Sequence, residues 1–388
     1  MSARTLPEYL RQFDEPAGYL DFARVGPVSA DVRTVLTRSA ELMHGQGLAA
    51  LAELDRSVAR TARTAAELLG CLPHEIAFVG STSHGMFAAA HAVRGEGVVL
   101  VGRDDFPGAV YPWLRAAGNG RLTVRLIDGP VTAEAVRAHL DDRVRAVSVC
   151  AVDSATGFRA PLAAIKEVIG PDRVLVVDAI QALGAVEFDA DAADVLASGG
   201  QKWLRAGWGA ALLMVRDRVA GLLEPGLGGW SGVIDPIGAG DHPRPARPGA
   251  VAHTLTNPDG PAVAALGAAL ELVRGVGVGP INARIGESLD ALLDAARTVG
   301  ARTAGGGSAA GGPAGPPGWR VAGSATGSGI ARFHLPGADP QAVHDALTAA
   351  GLATTLRTPW VRLSPHASTD RPDAVARLTE ALRAVPTG

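Results

Sequence analysis

The sequence predicts an α/β fold: a large domain whose sheet is flanked by helices, then a smaller α+β domain. Three observations lead there. Residues 174–177 form an apolar, β-branched run too short for a helix, and Asp178 stands where that buried strand ends. Further short apolar runs at 76–79, 98–101, 146–152 and 210–215 are interleaved with stretches of helical spacing. A glycine- and proline-rich stretch, 304–318, interrupts the last third and cannot build a core.

In chain order, residues 1–18 read as a short N-terminal arm, 19–275 as the large domain and 276–388 as the small one. Residues 28–70 are helical with a break at His44-Gly45-Gln46-Gly47. The strand 76–79 leads into Gly80-Ser81-Thr82-Ser83-His84-Gly85 and an Ala-rich helix from Met86. A Ser/Thr-rich turn opening a helix offers hydroxyls, free N–H groups and the positive end of the helix dipole, which suits a phosphate. A helix at 161–169 precedes the central strand, a second apolar stretch covers 194–197, and Gly207-Trp208-Gly209 opens the run 210–215. Residues 233–250 read as a long loop, 261–273 as a helix. The small domain alternates strand 330–335, helix 339–350, strand 360–363 and helix 372–384.

Two side chains carry the chemistry. Asp178 and Lys202 follow two different strands, and the crevice outside strand C-termini is where open α/β sheets bind ligands. Pyridoxal phosphate (PLP) needs a lysine for its imine and an acid that keeps the pyridine nitrogen protonated. The series Asp178-x-x-Gln181, Gln201-Lys202-Trp203 and Gly207-Trp208-Gly209 resembles the cofactor segment of class V aminotransferase-like enzymes. That family belongs to fold-type I and includes cysteine desulfurases and isopenicillin N epimerase-like proteins. The resemblance implies a mixed, mostly parallel seven-stranded sheet between helices.

It also implies roles. Asp178 pairs with the ring nitrogen, Gln181 bonds the phenolic oxygen and Lys202 is the imine lysine. Thr82 and Ser83 take the phosphate-contacting places, with His84 where the family's turn has Glu. Phe106-Pro107-Gly108-Ala109-Val110-Tyr111-Pro112-Trp113 resembles the segment that stacks an aromatic ring on the cofactor, which points to Phe106. Asp153-Ser154-Ala155-Thr156-Gly157 puts Ser154 near the phenolic oxygen, where Asn is commoner. The family's S-G-H-K here reads Gly199-Gly200-Gln201-Lys202, so phosphate contacts pass to Ser198 and Gln201. Thr256-Asn257-Pro258 resembles the turn that touches the partner subunit's cofactor phosphate, and Gly228-Gly229-Trp230-Ser231 a loop near the active site. Both imply a homodimer.

The substrate side is basic. A guanidinium fork matches an α-carboxylate, and Arg362, within Arg362-Leu363-Ser364-Pro365-His366, matches the family arginine for that task. Arg357 is a second candidate. Arg24, in Tyr19-Leu20-Asp21-Phe22-Ala23-Arg24-Val25-Gly26-Pro27, reads either a distal anionic part of the substrate or belongs to the structural surface. Within the family the last fifty or so residues look most like the hercynylcysteine sulfoxide lyases.

A carboxylate-binding arginine implies an amino-acid substrate, and a lysine base implies deprotonation at Cα. Persulfide chemistry needs a mobile cysteine late in the chain, and none follows Cys150. The expected activity is therefore a carbon–sulfur lyase that cleaves an S-substituted cysteine, or its sulfoxide, by β-elimination. The alternatives are a tailoring enzyme of secondary metabolism (a decarboxylating oxidative deaminase of a cysteine conjugate, an aminotransferase or an epimerase) and a non-catalytic scaffold. Retention of Asp178, Gln181 and Lys202 argues against the scaffold.

Bulk properties fit such an enzyme. Net charge −3 and a pI near 6.4 give no electrostatic footprint for nucleic acid or an anionic membrane. Two cysteines cannot make a disulfide framework, and no apolar run approaches membrane-spanning length. The N-terminus lacks the apolar core of a signal peptide, so a cytoplasmic enzyme is expected. No residues suggest a metal site.

Overall fold

The computed structural model describes residues 4–118, 120–238, 240–304 and 327–386. Its larger sheet holds seven strands: β1 (Ile76–Val79), β2 (Gly97–Gly102), β3 (Leu122–Ile127), β4 (Val144–Cys150), β5 (Val174–Asp178), β6 (Val195–Gly199) and β7 (Ala211–Val215). They lie in the order β1-β7-β6-β5-β4-β2-β3. All pairs from β6 to β3 are parallel, whereas β7 runs antiparallel to both β6 and β1. The seven-stranded, mostly parallel sheet expected from the sequence is present. Its central strands are buried end to end and mostly apolar, as strands covered on both faces must be.

Helices cover both faces. In the first part of the chain they are α1 (Leu6–Leu10), α2 (Ala30–Gln46), α3 (Ala49–Leu69), α4 (Thr82–Ala92), α5 (Pro107–Ala117), α6 (Ala133–His139) and α7 (Leu162–Ile169). Then come α8 (Gly260–Val276) and α9 (Val278–Thr298), bent at 87° across Gly277. Side chains of α4 and α5 pack on one sheet face with Val99, Val101, Val176 and Ala197. Those of α3, α6, α7 and α8 pack on the other with Leu100, Val147, Val177 and Leu196. No single described helix is long and apolar enough to cross a membrane.

A second, four-stranded sheet is made by β8 (Arg302–Ala304), β9 (Ala331–His334), β10 (Thr355–Arg357) and β11 (Trp360–Leu363). It is antiparallel in the order β10-β11-β9-β8. Helices α9, α10 (Pro340–Ala349) and α11 (Arg371–Arg383) cover one face, burying Leu289, Phe333, Leu347, Val361 and Leu378. The chain's beginning is bonded to this unit: Tyr19 bridges Ala353 and Asp21 bridges Ser364.

Several boundaries differ from the sequence reading. Helix α4 begins at Thr82 rather than Met86, because Ser81 caps it by accepting from the His84 N–H at 3.1 Å. Strand β3 was not expected, since Arg125 interrupts its apolar pattern at the sheet edge. The low-complexity stretch 305–318 lies outside the described residues.

Candidate active site

Asp178 ends β5 beside Cys150, its cross-strand partner at the end of β4. Its carboxyl is 4 % exposed; Oδ1 accepts from the Ile180 N–H at 3.0 Å, and Oδ2 has no hydrogen bond from the described residues. Burial pushes this acid's pKa up, and Lys202 and the Ile180 N–H pull the other way. Burial thus outweighs the positive charge beside this acid, and a protonated ring nitrogen would supply more. Lys202 follows β6. Burial lowers its pKa, which favours the uncharged amine that an imine needs, while Asp178 opposes. Its Nζ lies 5.5 Å from the centre of the Phe106 ring. Phe106 caps α5 and is 44 % exposed, so its ring faces open space on the lysine side. The structure thus brings Asp178, Lys202 and Phe106 together at the strand ends.

The opposite end of this space is the N-terminus of α4. Thr82 Oγ1 accepts from the Gly199 N–H at 2.8 Å, tying the helix start to the end of β6. The N–H groups of Thr82 and Ser83 have no acceptor among the described residues, so the helix end is open to an anion. Gln201 turns its side chain to the same place, next to Gly199 and Thr82. Ser198 does not. Residues of a strand alternate between faces; Ala197 packs against Gly85 of α4 and Gly199 approaches Thr82, so Ser198 points to the other face. There its Oγ is buried without a partner. Ser198 thus stands apart from Thr82 and Gln201, while its phosphate contact stays an expectation.

Gln181 is committed on two sides. Its Oε1 accepts from the Trp203 indole at 2.7 Å and its Nε2 donates to the Ala23 carbonyl at 2.9 Å, leaving one N–H for a phenolic oxygen. Gly26 lies against the lysine loop, donating to the Gln201 carbonyl at 2.8 Å. Any Cβ on Gly26 would collide with the Lys202 carbonyl oxygen, so the Gly-Pro segment and the lysine loop need this glycine between them.

Arg362 reaches the site from β11. Its Nη2 donates to Asp21 Oδ1 at 2.8 Å and to Thr355 Oγ1 at 3.3 Å, its Nη1 donates to the Ser154 carbonyl at 2.8 Å, and its buried Nε has no partner. The sequence-selected Ser154 therefore meets Arg362 through its backbone. Burial penalises the Arg362 charge most, Asp21 compensates, and Arg357 and Arg24 add like-charge repulsion. Both of those arginines are exposed, and their side chains make no hydrogen bond among the described residues. Asn257 is exposed near Trp230, Ile234 and Arg247, lining a cavity of about 310 Å³. Among the described residues, no hydrogen bond or ion pair ties it to Lys202.

Two groups went unread in the sequence. Asp105, next to Phe106, accepts from the Cys150 N–H at 3.3 Å; burial pushes its pKa to about 7, with Asp153 and Asp178 adding to the rise. Arg205, three residues past the lysine, is 1 % exposed at a φ of 59°. It bonds Glu15 at 2.6 Å and Ser368 at 2.9 Å, lies 3.9 Å over the Phe13 ring, and so fastens the N-terminal arm and the C-terminal unit to the lysine loop. Neither shows a spacing signal.

Comparison with known proteins places this geometry. The family model described as Aminotransferase class-V matches residues 24–305. A kynureninase from Deinococcus radiodurans is 33% identical over 230 residues, 58% of this chain and 55% of the relative. The chain spans about half the length of the curated relatives it matches. Two structures of C-DES share the fold. The complex of this cystine C–S lyase with its reaction product cysteine persulfide has a TM-score of 0.81 at 19% identity, covering 94% of this chain and 97% of that one. A C-DES mutant with glycine covalently linked to the PLP cofactor has a TM-score of 0.79 at 19% identity, covering 95% and 97%. With nearly three quarters of its length inside the family model, this chain belongs to the class V aminotransferases, and its cofactor is pyridoxal phosphate.

Proposed function

We propose that this enzyme is a carbon–sulfur lyase that opens an S-substituted cysteine, or its sulfoxide, at the Cβ–S bond. Bound PLP supplies an electron sink for the pair left at Cα. Asp178 holds the ring nitrogen protonated, Gln181 gives its remaining N–H to the phenolic oxygen, and Thr82, Ser83 and Gln201 receive the phosphate. Phe106 stacks but cannot move a proton, so Lys202 takes the Cα proton. The Cα–H pair then forms the double bond as the Cβ–S bond breaks, and the sulfur leaves with its pair to be protonated, as a thiol from a thioether or as a sulfenic acid from a sulfoxide. Hydrolysis of the released product yields pyruvate and ammonia. Arg362 binds the α-carboxylate, with Arg24 and Arg357 beside it.

The observation that carries this reading is the state of the two thiols. A desulfurase needs a cysteine that can swing to the substrate sulfur. Cys150 is 6 % exposed inside the sheet at the end of β4, and Cys71 follows α3 with its thiol pKa pushed up by burial. Neither suits sulfur relay, which leaves the sulfur on the departing group. The likeness to a cystine C–S lyase and the lyase-like run 337–366 support the same direction. We further read the enzyme as a cytoplasmic homodimer in which Asn257 and the 228–231 loop complete the partner's site. The small domain is taken to start at residue 276, beside the bend at Gly277.

The test is product analysis with a panel of S-substituted cysteines. Equal amounts of pyruvate, ammonia and thiol are expected. Carbon dioxide with an aldehyde, an exchanged amino group without pyruvate, or alanine with persulfide would each assign a different reaction.

A further inference from the structure

The four-stranded sheet turns a basic face toward the site. Ala331, Phe333, Val361 and Leu363 are buried against α9, α10 and α11. Their alternates Arg332, His334, Trp360 and Arg362 must point the other way. The register sets Arg332 directly opposite Arg362 and Thr355 on that arginine's other side. Side chains so paired stand about 5 Å apart at Cβ.

Arg332 is unusual in having no assigned work. Its guanidinium lies over the Trp360 ring at 4.6 Å, and its buried Nε has no hydrogen bond or ion pair among the described residues. Burial penalises its charge most, and the Asp153 carboxylate partly offsets this. The 153–157 turn is pressed onto the start of β9: a Cβ on Gly157, at φ 74°, would collide with the Ile330 carbonyl. Arg332, two residues on from Ile330 and opposite Arg362 in the register, thus sits beside the arginine that the Ser154 carbonyl of this turn holds.

The acids nearby are already engaged. Asp21 serves Arg362 and Thr355, and Asp153 accepts from Ala155 and Thr156 of its own turn. Four guanidiniums, Arg24, Arg332, Arg357 and Arg362, thus crowd one rim in a chain of net charge −3. One α-carboxylate occupies a single fork.

We propose that Arg332 binds a second anionic group at the far end of the substrate's S-substituent, so the substrate class is an S-substituted cysteine carrying a distal carboxylate. The inference rests on the lyase reading only for where that group is attached. Trp360 holds the guanidinium flat and in place, as a stacked arginine requires.

The experiment compares S-(2-carboxyethyl)cysteine with S-propylcysteine, which lacks the anion, in cofactor-loaded wild type, Arg332→Gln and Arg332→Lys. Wild type should favour the carboxylated compound by about tenfold or more in kcat/KM. Arg332→Gln should lose about tenfold to a hundredfold with that compound through KM, and nothing with S-propylcysteine. Arg332→Lys should recover part of the loss, because it keeps the charge without the fork. Absence of a wild-type preference, or equal losses for both compounds, overturns the assignment. If neither compound is cleaved, the lyase reading falls by itself. Calorimetric binding of the same two compounds then decides Arg332: a preference that Arg332→Gln removes supports it, and no preference sinks it.

Discussion

Arg362 and Asp21 meet at 2.8 Å with both side chains more than nine-tenths buried, so the arginine proposed to bind substrate already has an internal counterion. An incoming α-carboxylate must use the donors Asp21 leaves free, the unpartnered Nε among them. Arg362→Lys keeps a charge but loses this geometry. Binding of an amino-acid substrate should weaken about tenfold to a hundredfold, while a decarboxylated analogue should be nearly unaffected. Comparing kcat/KM for the two compounds checks it, and equal losses would make Arg362 a purely structural link.

Lys202→Ala should abolish turnover and leave the bound cofactor without its imine absorbance band. The chain has only one other lysine, and Lys166 on α7 is bonded to Asp194 at 2.6 Å and to the Arg173 carbonyl at 3.0 Å. It cannot substitute. A variant that retained the band would move the imine elsewhere and undo the site.

Assembly has a visible candidate surface. Trp230, within the 228–231 loop, and Leu255, against Gly229, are 52 % and 43 % exposed, and Trp208 and Ile237 are exposed as well, at 70 % and 92 %. Exposed apolar side chains in that number mark an interaction surface. Sedimentation should give a dimer at assay concentration, and Ile237→Glu with Trp230→Glu should shift it toward monomer with loss of activity. A fully active monomer would contradict the shared site.

Asp105 predicts a pH effect on stability. Its pKa rises from 3.8 to about 7 on folding. Below pH 4 both states hold the proton, so nothing is lost. Between about pH 4 and 7 the unfolded chain ionises while the native one stays protonated, so native stability falls; above 7 the deficit is constant. Asp105→Asn, which can still accept from the Cys150 N–H, should gain on wild type across that window, by a few kcal/mol at most. Urea midpoints of the two proteins at pH 5 and pH 8 measure it, and a constant difference would mean Asp105 ionises normally.

Glu15→Gln leaves the Arg205 charge buried and unpaired, which costs about 3–5 kcal/mol. Because Arg205 sits on the lysine loop, cofactor retention should fall along with the thermal midpoint. A lowered midpoint with unchanged retention on dialysis would confine Arg205 to the arm.

The sequence was most legible where chemistry and local pattern coincide. Asp178, Lys202 and Phe106 sit at strand ends and a helix cap, and the structure gathers them. The facing of Ser198 was not legible, because the strand runs to Gly199 and a shift of one residue reverses which face a side chain takes. Strand β3 hid behind its charged Arg125, and β8 and β10, at three residues each, are too short to show a period. Arg332 became visible only through its register with Arg362, which no linear spacing encodes. The partners of Arg362 and Arg205 lie 341 and 190 residues away in the chain, beyond any local pattern.

The Glu15–Arg205–Ser368 junction also has a consequence in time. Ser368 donates to Glu15 across 353 residues of chain, and both bond Arg205. Synthesis delivers these three pieces in order, so the junction of arm and lysine loop lacks its third member until residue 368 has been made. Contacts this distant close late in folding. A nascent chain halted between residues 215 and 368 would have all seven strands of the larger sheet and a lysine loop held by the arm alone, so competence to retain cofactor should arrive with the last helix rather than with the sheet that bears the site.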